Sequence, residues 1–118
     1  MTSPQPIYTS RGGCAAFVVG LYLFDSGGQW IGFREGRDVY LINGEYVGYL
    51  SDDRRVLRPR SVPDRPRKKL PPRPDSPRIP VNVPLAPQMR ELPYSIMDVF
   101  DEAPELITRA LDLRPDLE

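Results

Sequence analysis

Histidine is absent from this 118-residue chain, and cysteine occurs once, at Cys14. The absence of histidine removes the commonest general base and the commonest zinc ligand. A single cysteine cannot form an internal disulfide, which fits a reducing compartment, so a small domain must be stabilised by packing or by association. We therefore expect no catalytic residue, no metal site and no cofactor.

Long hydrophobic runs are also lacking. The longest, Cys14 to Phe24, spans 11 residues, whereas a bilayer-spanning helix needs roughly 20. The run has neither the basic start nor the cleavage site of a signal peptide. These features predict a cytoplasmic protein, with a peripheral position at a membrane surface as the alternative.

A repeat of 16 residues runs without a gap through the first half of the chain. Shifting the sequence by 16 brings three copies into register, and glycine recurs at the same points of each. The aligned positions are Ile7, Leu23 and Val39; Tyr8, Phe24 and Tyr40; Gly12, Gly28 and Gly44; Cys14, Trp30 and Tyr46; Ala15, Ile31 and Val47; Ala16, Gly32 and Gly48; and Phe17, Phe33 and Tyr49. Such a pattern is typical of units that bury their apolar faces only by stacking on neighbours.

Each copy predicts a β-hairpin. In the third copy, residues 38–42 and 45–50 are rich in strand formers and flank Asn43-Gly44, a strong signal for a tight turn. A fourth copy starts and is cut short by Pro59, because proline cannot donate to a sheet ladder. We predict an all-β domain over residues 7–58, an antiparallel meander of hairpin repeats that forms a shallow barrel.

The predicted strands carry apolar residues on both faces. Ile31 and Phe33 point one way and Trp30 the other, because side chains alternate along a strand. Both faces need cover, from closure around a core, from the C-terminal segment, or from a second copy of the chain. Four aromatic residues could be core or could form an exposed binding surface, and we keep them as candidate binding residues: Trp30, Phe33, Tyr46 and Tyr49.

The third copy, from Val39 to Tyr49, resembles the repeat of the bacterial four-fold β-flower family. The resemblance lies in the order of its residues, which are a tyrosine, a glycine turn, and then an aromatic, a β-branched, a small and a second aromatic residue. The stretch from Arg58 to Pro93, followed by Tyr94-Ser95, is similar to the basic proline-rich segment and polar-aromatic end of that family. The resemblance implies a pseudo-symmetric β-barrel with petals around a central channel, similar to the Tubby carboxy-terminal fold, and implies no activity. This chain departs from a closed four-fold ring in its incomplete fourth unit, so we expect the ring to close through a second chain or through the tail.

Residues 59–93 contain 11 prolines and predict an extended, proline-rich basic linker in polyproline II conformation, without a core of its own. Residues 54–78 carry 10 basic and 2 acidic side chains, a net charge of +8, which favours an anionic membrane surface as a partner. The candidate binding cations are Arg65, Arg67, Lys68, Lys69 and Arg73. No aromatic residue lies between positions 50 and 93, so base stacking is absent and nucleic acid is disfavoured.

The same segment allows two further interpretations. Pro71 and Pro74 are three apart and follow a cation, the pattern that aromatic grooves of the SH3 kind bind. A spacer, or an arm laid along the domain's own surface, explains the composition equally well.

Residues 94–118 form a predicted acidic helical tail. Ser95 to Asp98 matches a capping box and predicts a helix start. A second helix is predicted to open at Pro104 and to end at Pro115, with one apolar stripe: Leu106, Ile107, Ala110 and Leu111. This helix could dock on the chain's own sheet or enter a partner's groove.

Residues that could support catalysis have simpler explanations. Cys14 lacks a histidine to activate it, and it occupies the repeat position that holds an aromatic residue in the other two copies. Both features predict a thiol buried in the core. The carboxylate pairs Asp52-Asp53 and Asp101-Glu102 fall at a predicted turn and a predicted helix start. We therefore expect a non-enzymatic binding or scaffold module for an unknown protein partner or for a second copy of itself, with peripheral anionic-lipid binding as the alternative.

Overall fold

The chain folds into one curled antiparallel sheet with two short helices. The computed structural model describes residues 3–63 and 65–112, except for the side chain of Asp112. Each strand pairs with the next along the chain, in the order β1 to β8. The strands are β1 Gln5–Tyr8, β2 Cys14–Val19, β3 Tyr22–Asp25, β4 Trp30–Glu35, β5 Asp38–Leu41, β6 Tyr46–Leu50, β7 Val56–Pro59 and β8 Ile96–Asp98, and the helices are α1 Val99–Glu102 and α2 Glu105–Asp112. The predicted all-β hairpin meander is confirmed as a half-barrel.

The 16-residue repeat has a direct structural basis in its turns. Gly12, Gly28 and Gly44 occupy equivalent turns with φ of 93°, 89° and 88°, a backbone conformation that favours glycine. In each turn the glycine N–H donates to the carbonyl three residues earlier, and the two strands shift register at the adjoining pair. This is a turn followed by a bulge, a common hairpin connection, and it fixes the register of three hairpins.

The link between β6 and β7 uses the same turn, although the sequence does not repeat the glycine. Arg54 N–H donates to Ser51 O at 3.1 Å and Ser51 N–H donates to Arg55 O at 2.9 Å, as in the three glycine turns. Arg54 therefore holds the glycine position, and its φ is 65°. It is the one residue other than glycine with positive φ in the part of the chain that the structure describes.

The C-terminal segment completes the fourth hairpin. Strand β8 pairs with β7 through Leu57 to Asp98 and Pro59 to Ile96. The sequence predicted a helix start at Ser95. The structure instead places Ile96–Asp98 in the sheet and begins α1 at Val99, because the unpaired edge of β7 provides a ladder for these residues. The tail thus supplies the missing strand within one chain.

The two helices cover the inner face of the half-barrel. Val99, Ile107 and Ala110 are buried in the main core with residues of all three complete hairpins. The space left between helices and sheet is a cavity of about 10 Å³, too small for a ligand. The apolar stripe predicted for the second helix therefore docks in cis, while its predicted end at Pro115 lies outside the described residues.

Close backbone approach explains the small residues at one repeat position. A Cβ at Gly32 would collide with the carbonyl oxygen of Tyr40, and one at Gly48 would collide with that of Leu57. In the first copy the equivalent Ala16 is fully buried. The minimal side chains at positions 32 and 48 therefore allow the neighbouring strand's backbone to approach closely.

A buried polar network joins the first hairpin to the fourth. Arg55 is 2% exposed, and its guanidinium pairs with Asp53 at 2.6 Å and donates to Ser10 Oγ at 2.8 Å. The backbone N–H and hydroxyl of Ser10 donate to Asp98 Oδ2 at 2.7 and 2.8 Å. Because a buried charge is tolerated only when it is paired and hydrogen-bonded, this network fixes how the two ends of the sheet meet.

Among the described residues, neither helix has the length and apolar character that crossing a bilayer requires.

Candidate functional site

Two of the four predicted aromatic residues lie in the interior. Trp30 is 7% exposed, and its indole N–H donates to Gly32 O at 2.8 Å. Phe33 is buried and stacks on Tyr40, with ring centroids 5.4 Å apart. Neither ring is available to a partner, so packing explains both.

Tyr46 and Tyr49 are half-buried on strand β6. The guanidinium of Arg65 lies over the Tyr46 ring, 3.8 Å from its centroid, a cation–π contact. Burial raises the pKa of Tyr46, and the charge of Arg65 partly offsets that effect. Tyr46 and Arg65 line a cleft of about 310 Å³ together with Arg58 and Arg67, so the structure brings together one predicted aromatic residue and two predicted cations.

Three of the five predicted cations face carboxylates of the second and third hairpins. Arg65 lies 3.6 Å from Asp38, Arg67 lies 3.0 Å from Glu45, and Lys68 Nζ donates to Glu35 at 2.6 Å. The hydrogen bond to Glu35 raises the pKa of Lys68. Exposed ion pairs each contribute little to stability, but these three together hold the basic segment against the hairpins.

The remaining two predicted cations, Lys69 and Arg73, lie on the exposed side of the same segment.

The proline-rich segment wraps around the sheet, passing the third, second and first hairpins in turn and then reaching the fourth. It first meets the third hairpin, where Lys68 N–H donates to Gly44 O at 2.9 Å. It then passes Tyr22, whose hydroxyl donates to Pro72 O at 2.6 Å, and Tyr8, whose hydroxyl donates to Pro84 O at 2.8 Å. It ends at the fourth hairpin, where Arg55 donates to Arg90 O at 3.1 Å. We call residues 65–92 the arm.

The arm contacts the domain with a period of three residues. From Pro71 to Leu92 every third residue is half-buried, and of the intervening residues only Ile79 is also half-buried while the others are exposed. The half-buried positions are Pro71, Pro74, Pro77, Pro80, Val83, Ala86, Met89 and Leu92. Three residues per turn is the period of a polyproline II helix, whose rise of about 3.1 Å per residue makes this stretch roughly 65 Å long. The longest dimension of the molecule is 40 Å, so the arm curves around it.

This geometry changes the meaning of the predicted SH3-type pattern. Pro71 and Pro74 both face the chain's own domain, so they are occupied in cis. Further along, Pro84 and Pro87 are exposed and are again three apart. With Val81 before them and Arg90 after them, they form one outward row, which we call the outer face.

The outer face and its neighbours are unusually apolar for a surface. Val81 and Leu85 are each 96% exposed, and residues 79–89 contain no charged side chain. The sequence interpretation missed these residues. The one sequence signal is the threefold spacing of proline from Pro71 to Pro80, which groups later positions into rows but does not indicate which row faces outward.

The groups that could support catalysis have structural partners. Cys14 is half-buried and its Sγ lies 3.6 Å from Ala16 O; burial raises the pKa of this thiol, which disfavours the reactive thiolate. Asp101 pairs with Arg11 at 3.0 Å. Glu102 pairs with Arg60 at 2.8 Å, and the hydrogen bond from Arg60 lowers the pKa of Glu102. Within residues 3–63 and 65–112 no group of acidic or sulfur side chains is placed to hold a metal ion.

No family model, curated protein or solved structure matches this chain.

Proposed function

We propose that this chain is a non-enzymatic binding module that presents a preformed polyproline II ligand to a partner protein. The observation that carries the proposal is the outer face, with Val81, Pro84, Pro87 and Arg90 exposed in a row on a backbone held by the domain. The barrel, in this view, serves as the scaffold that orders the arm.

Proline-rich ligands bind aromatic-lined grooves because their extended conformation is already formed and little ordering entropy is lost. Here the carbonyls of Pro84 and Arg90 are hydrogen-bonded to Tyr8 and Arg55, which restrains the arm further. Rigid presentation of this kind increases affinity by lowering the entropic cost of association. The cation at Arg90 fits a groove that has a carboxylate beyond its aromatic pockets.

The sheet itself is a weaker candidate for the binding surface. Its inner face is covered by α1 and α2. The four aromatic side chains predicted from sequence as binding residues are buried or half-buried. Among the described residues, the two most exposed large apolar side chains, Val81 and Leu85, are on the arm.

The test measures binding of the full chain to purified SH3, WW and EVH1 domains by fluorescence anisotropy. We expect saturable binding to at least one of them, and a loss of about tenfold in affinity for the double variant Pro84→Ala/Pro87→Ala, whose two side chains fill adjacent pockets. The matched control, Asn82→Ala/Gln88→Ala, alters the other exposed row of the same turns and is expected to change affinity less than twofold. Absence of binding to every domain, or an equal loss in both double variants, contradicts the proposal.

Peripheral binding to anionic lipid stays a prediction with less support. Arg65, Arg67 and Lys68 are paired with sheet carboxylates, so a membrane would have to displace these pairs. Co-sedimentation with anionic vesicles at low and high salt tests it, with Arg65, Arg67, Lys68, Lys69 and Arg73 replaced by glutamine as the comparison. Kinship with the β-flower family likewise remains a proposal, supported by the repeated hairpins.

A further inference from the structure

A second cleft, distant in sequence from the outer face, opens where two turns meet the first hairpin. It has a volume of about 320 Å³ and lies between the first hairpin, the β4–β5 turn and the β6–β7 turn. Ile7, Val18 and Leu50 contribute apolar side chains to its lining. We call it the turn cleft. Its volume is at the lower end of those that hold small molecules.

Positive charge predominates in the turn cleft. Three guanidinium groups line it, those of Arg34, Arg37 and Arg54, against the single carboxylate of Asp52. Arg37 pairs with Asp52 at 2.7 Å. Arg34 is held by two carbonyls, Gly20 O at 2.8 Å and Gly36 O at 3.0 Å, which orient its charge without neutralising it. Two cations are therefore left without a carboxylate partner among the lining residues.

Arg54 occupies a turn position where glycine would have less backbone strain. Its turn has the hydrogen-bond pattern of the turns that contain Gly12, Gly28 and Gly44, and its φ of 65° is one that glycine adopts without strain. Glycine would relieve the backbone here as it does in the other three turns. In the part of the chain that the structure describes, no hydrogen bond or ion pair engages the Arg54 side chain, which instead lines the turn cleft. Backbone strain retained at one residue of a cleft is characteristic of functional positions.

We propose that the turn cleft binds a small carboxylate with a compact apolar body, and that Arg54 and Arg34 recognise the carboxylate. Guanidinium groups match a carboxylate in geometry and charge. The apolar body would cover the side chains of Ile7, Val18 and Leu50. The proposal is independent of the outer face, because it involves different residues and a different class of ligand.

The probes are hexanoate, acetate and hexanamide, titrated into the full chain and followed by isothermal titration calorimetry and by NMR shifts of the arginine Nε–H groups. Hexanoate is expected to bind saturably in the millimolar range or tighter, with shifts at Arg34 and Arg54. Acetate lacks the apolar body and hexanamide lacks the charge, so each is expected to bind at least tenfold more weakly. No saturable binding of hexanoate, or equal binding of hexanamide, overturns the proposal.

Two substitutions of Arg54 separate recognition from backbone strain. Arg54→Gly removes both the charge and the strain, so hexanoate affinity is expected to fall about tenfold while the thermal unfolding midpoint rises. Arg54→Gln removes only the charge, so affinity is expected to fall equally without a rise in the midpoint. Arg78→Gln, an exposed position on the arm, is the control and should leave hexanoate affinity within twofold. Equal affinity in the wild type and Arg54→Gly would refute the assignment.

Discussion

The three glycine turns provide an internal test of how firmly the arm is bound. Gly12, Gly28 and Gly44 have nearly the same φ, but the arm approaches them to different degrees. A Cβ at Gly12 would have no described atom within 4 Å, one at Gly28 would lie 3.4 Å from Ile79 Cγ1, and one at Gly44 would lie 2.5 Å from Lys68 O. Alanine at each position therefore imposes the same backbone strain with a graded clash against the arm.

The magnitudes follow from these distances. Alanine in a left-handed conformation costs about 1–2 kcal/mol, and the lower entropy of the unfolded chain returns about 0.4–1 kcal/mol. We expect Gly12→Ala to lower the free energy of unfolding by about 1 kcal/mol, and Gly28→Ala by nearly the same amount because 3.4 Å is close to ordinary contact. Gly44→Ala must also displace the arm, which adds about 1–3 kcal/mol for overpacking.

The assay is urea denaturation followed by the fluorescence of Trp30, the single tryptophan, which is buried in the native state. Trypsin cleavage at the Lys69–Leu70 bond provides a second readout, expected to be faster in Gly44→Ala than in Gly12→Ala because the arm is displaced. Equal destabilisation by the two variants, with equal cleavage rates, would refute the docked arm. Faster cleavage without extra destabilisation would show that the arm contributes little to stability.

Three further predictions concern the domain. Arg55→Ala should lower the free energy of unfolding by about 3 kcal/mol in the same assay, because it leaves buried partners of the guanidinium unpaired. Burial alone would raise the pKa of Asp53, but hydrogen bonds from Arg55 and Ser51, with the guanidinium charge, lower it. The unfolded state therefore binds the proton first, and stability should fall as pH drops below about 4. In an Asp53→Asn variant, denaturation curves should show a weaker dependence on pH in that range. Gly32→Ala should cost about 1–3 kcal/mol by its clash with the Tyr40 carbonyl, whereas Ala16→Gly at the equivalent site should cost no more than about 1 kcal/mol, a contrast that thermal denaturation would detect.

The parts of the fold that could be predicted from sequence are those encoded locally. The glycine at each hairpin turn and the alternation of side chains along each strand lie within one 16-residue unit, so three hairpins and their register follow from the sequence. The apolar stripe of α2 is similarly local, since Ile107 and Ala110 are three residues apart on one helical face.

What the sequence could not indicate depends on pairing between distant residues. Ser95 to Asp98 has the local pattern of a helix cap, but its last three residues become a strand because β7, nearly 40 residues earlier, presents an open edge. The turn at Arg54 was also not indicated by the sequence, because a turn of the glycine type forms there without glycine. For the candidate site, sequence identified the basic segment but not its outward residues, because which side of the arm is exposed depends on contacts with Gly44, Tyr22 and Tyr8.

The fourth hairpin, whose strands are separated by the arm, has a consequence for the order of folding. During synthesis the first seven strands emerge from the ribosome before β8 is made. Until β8 emerges, β7 is therefore an unpaired edge strand of the sheet. An exposed edge that awaits a strand on a long connection can also accept that strand from a neighbouring molecule, because exchange preserves every contact of the hairpin. At high concentration during refolding, a dimer that exchanges β8 and both helices is therefore the expected by-product, and dilution should suppress it.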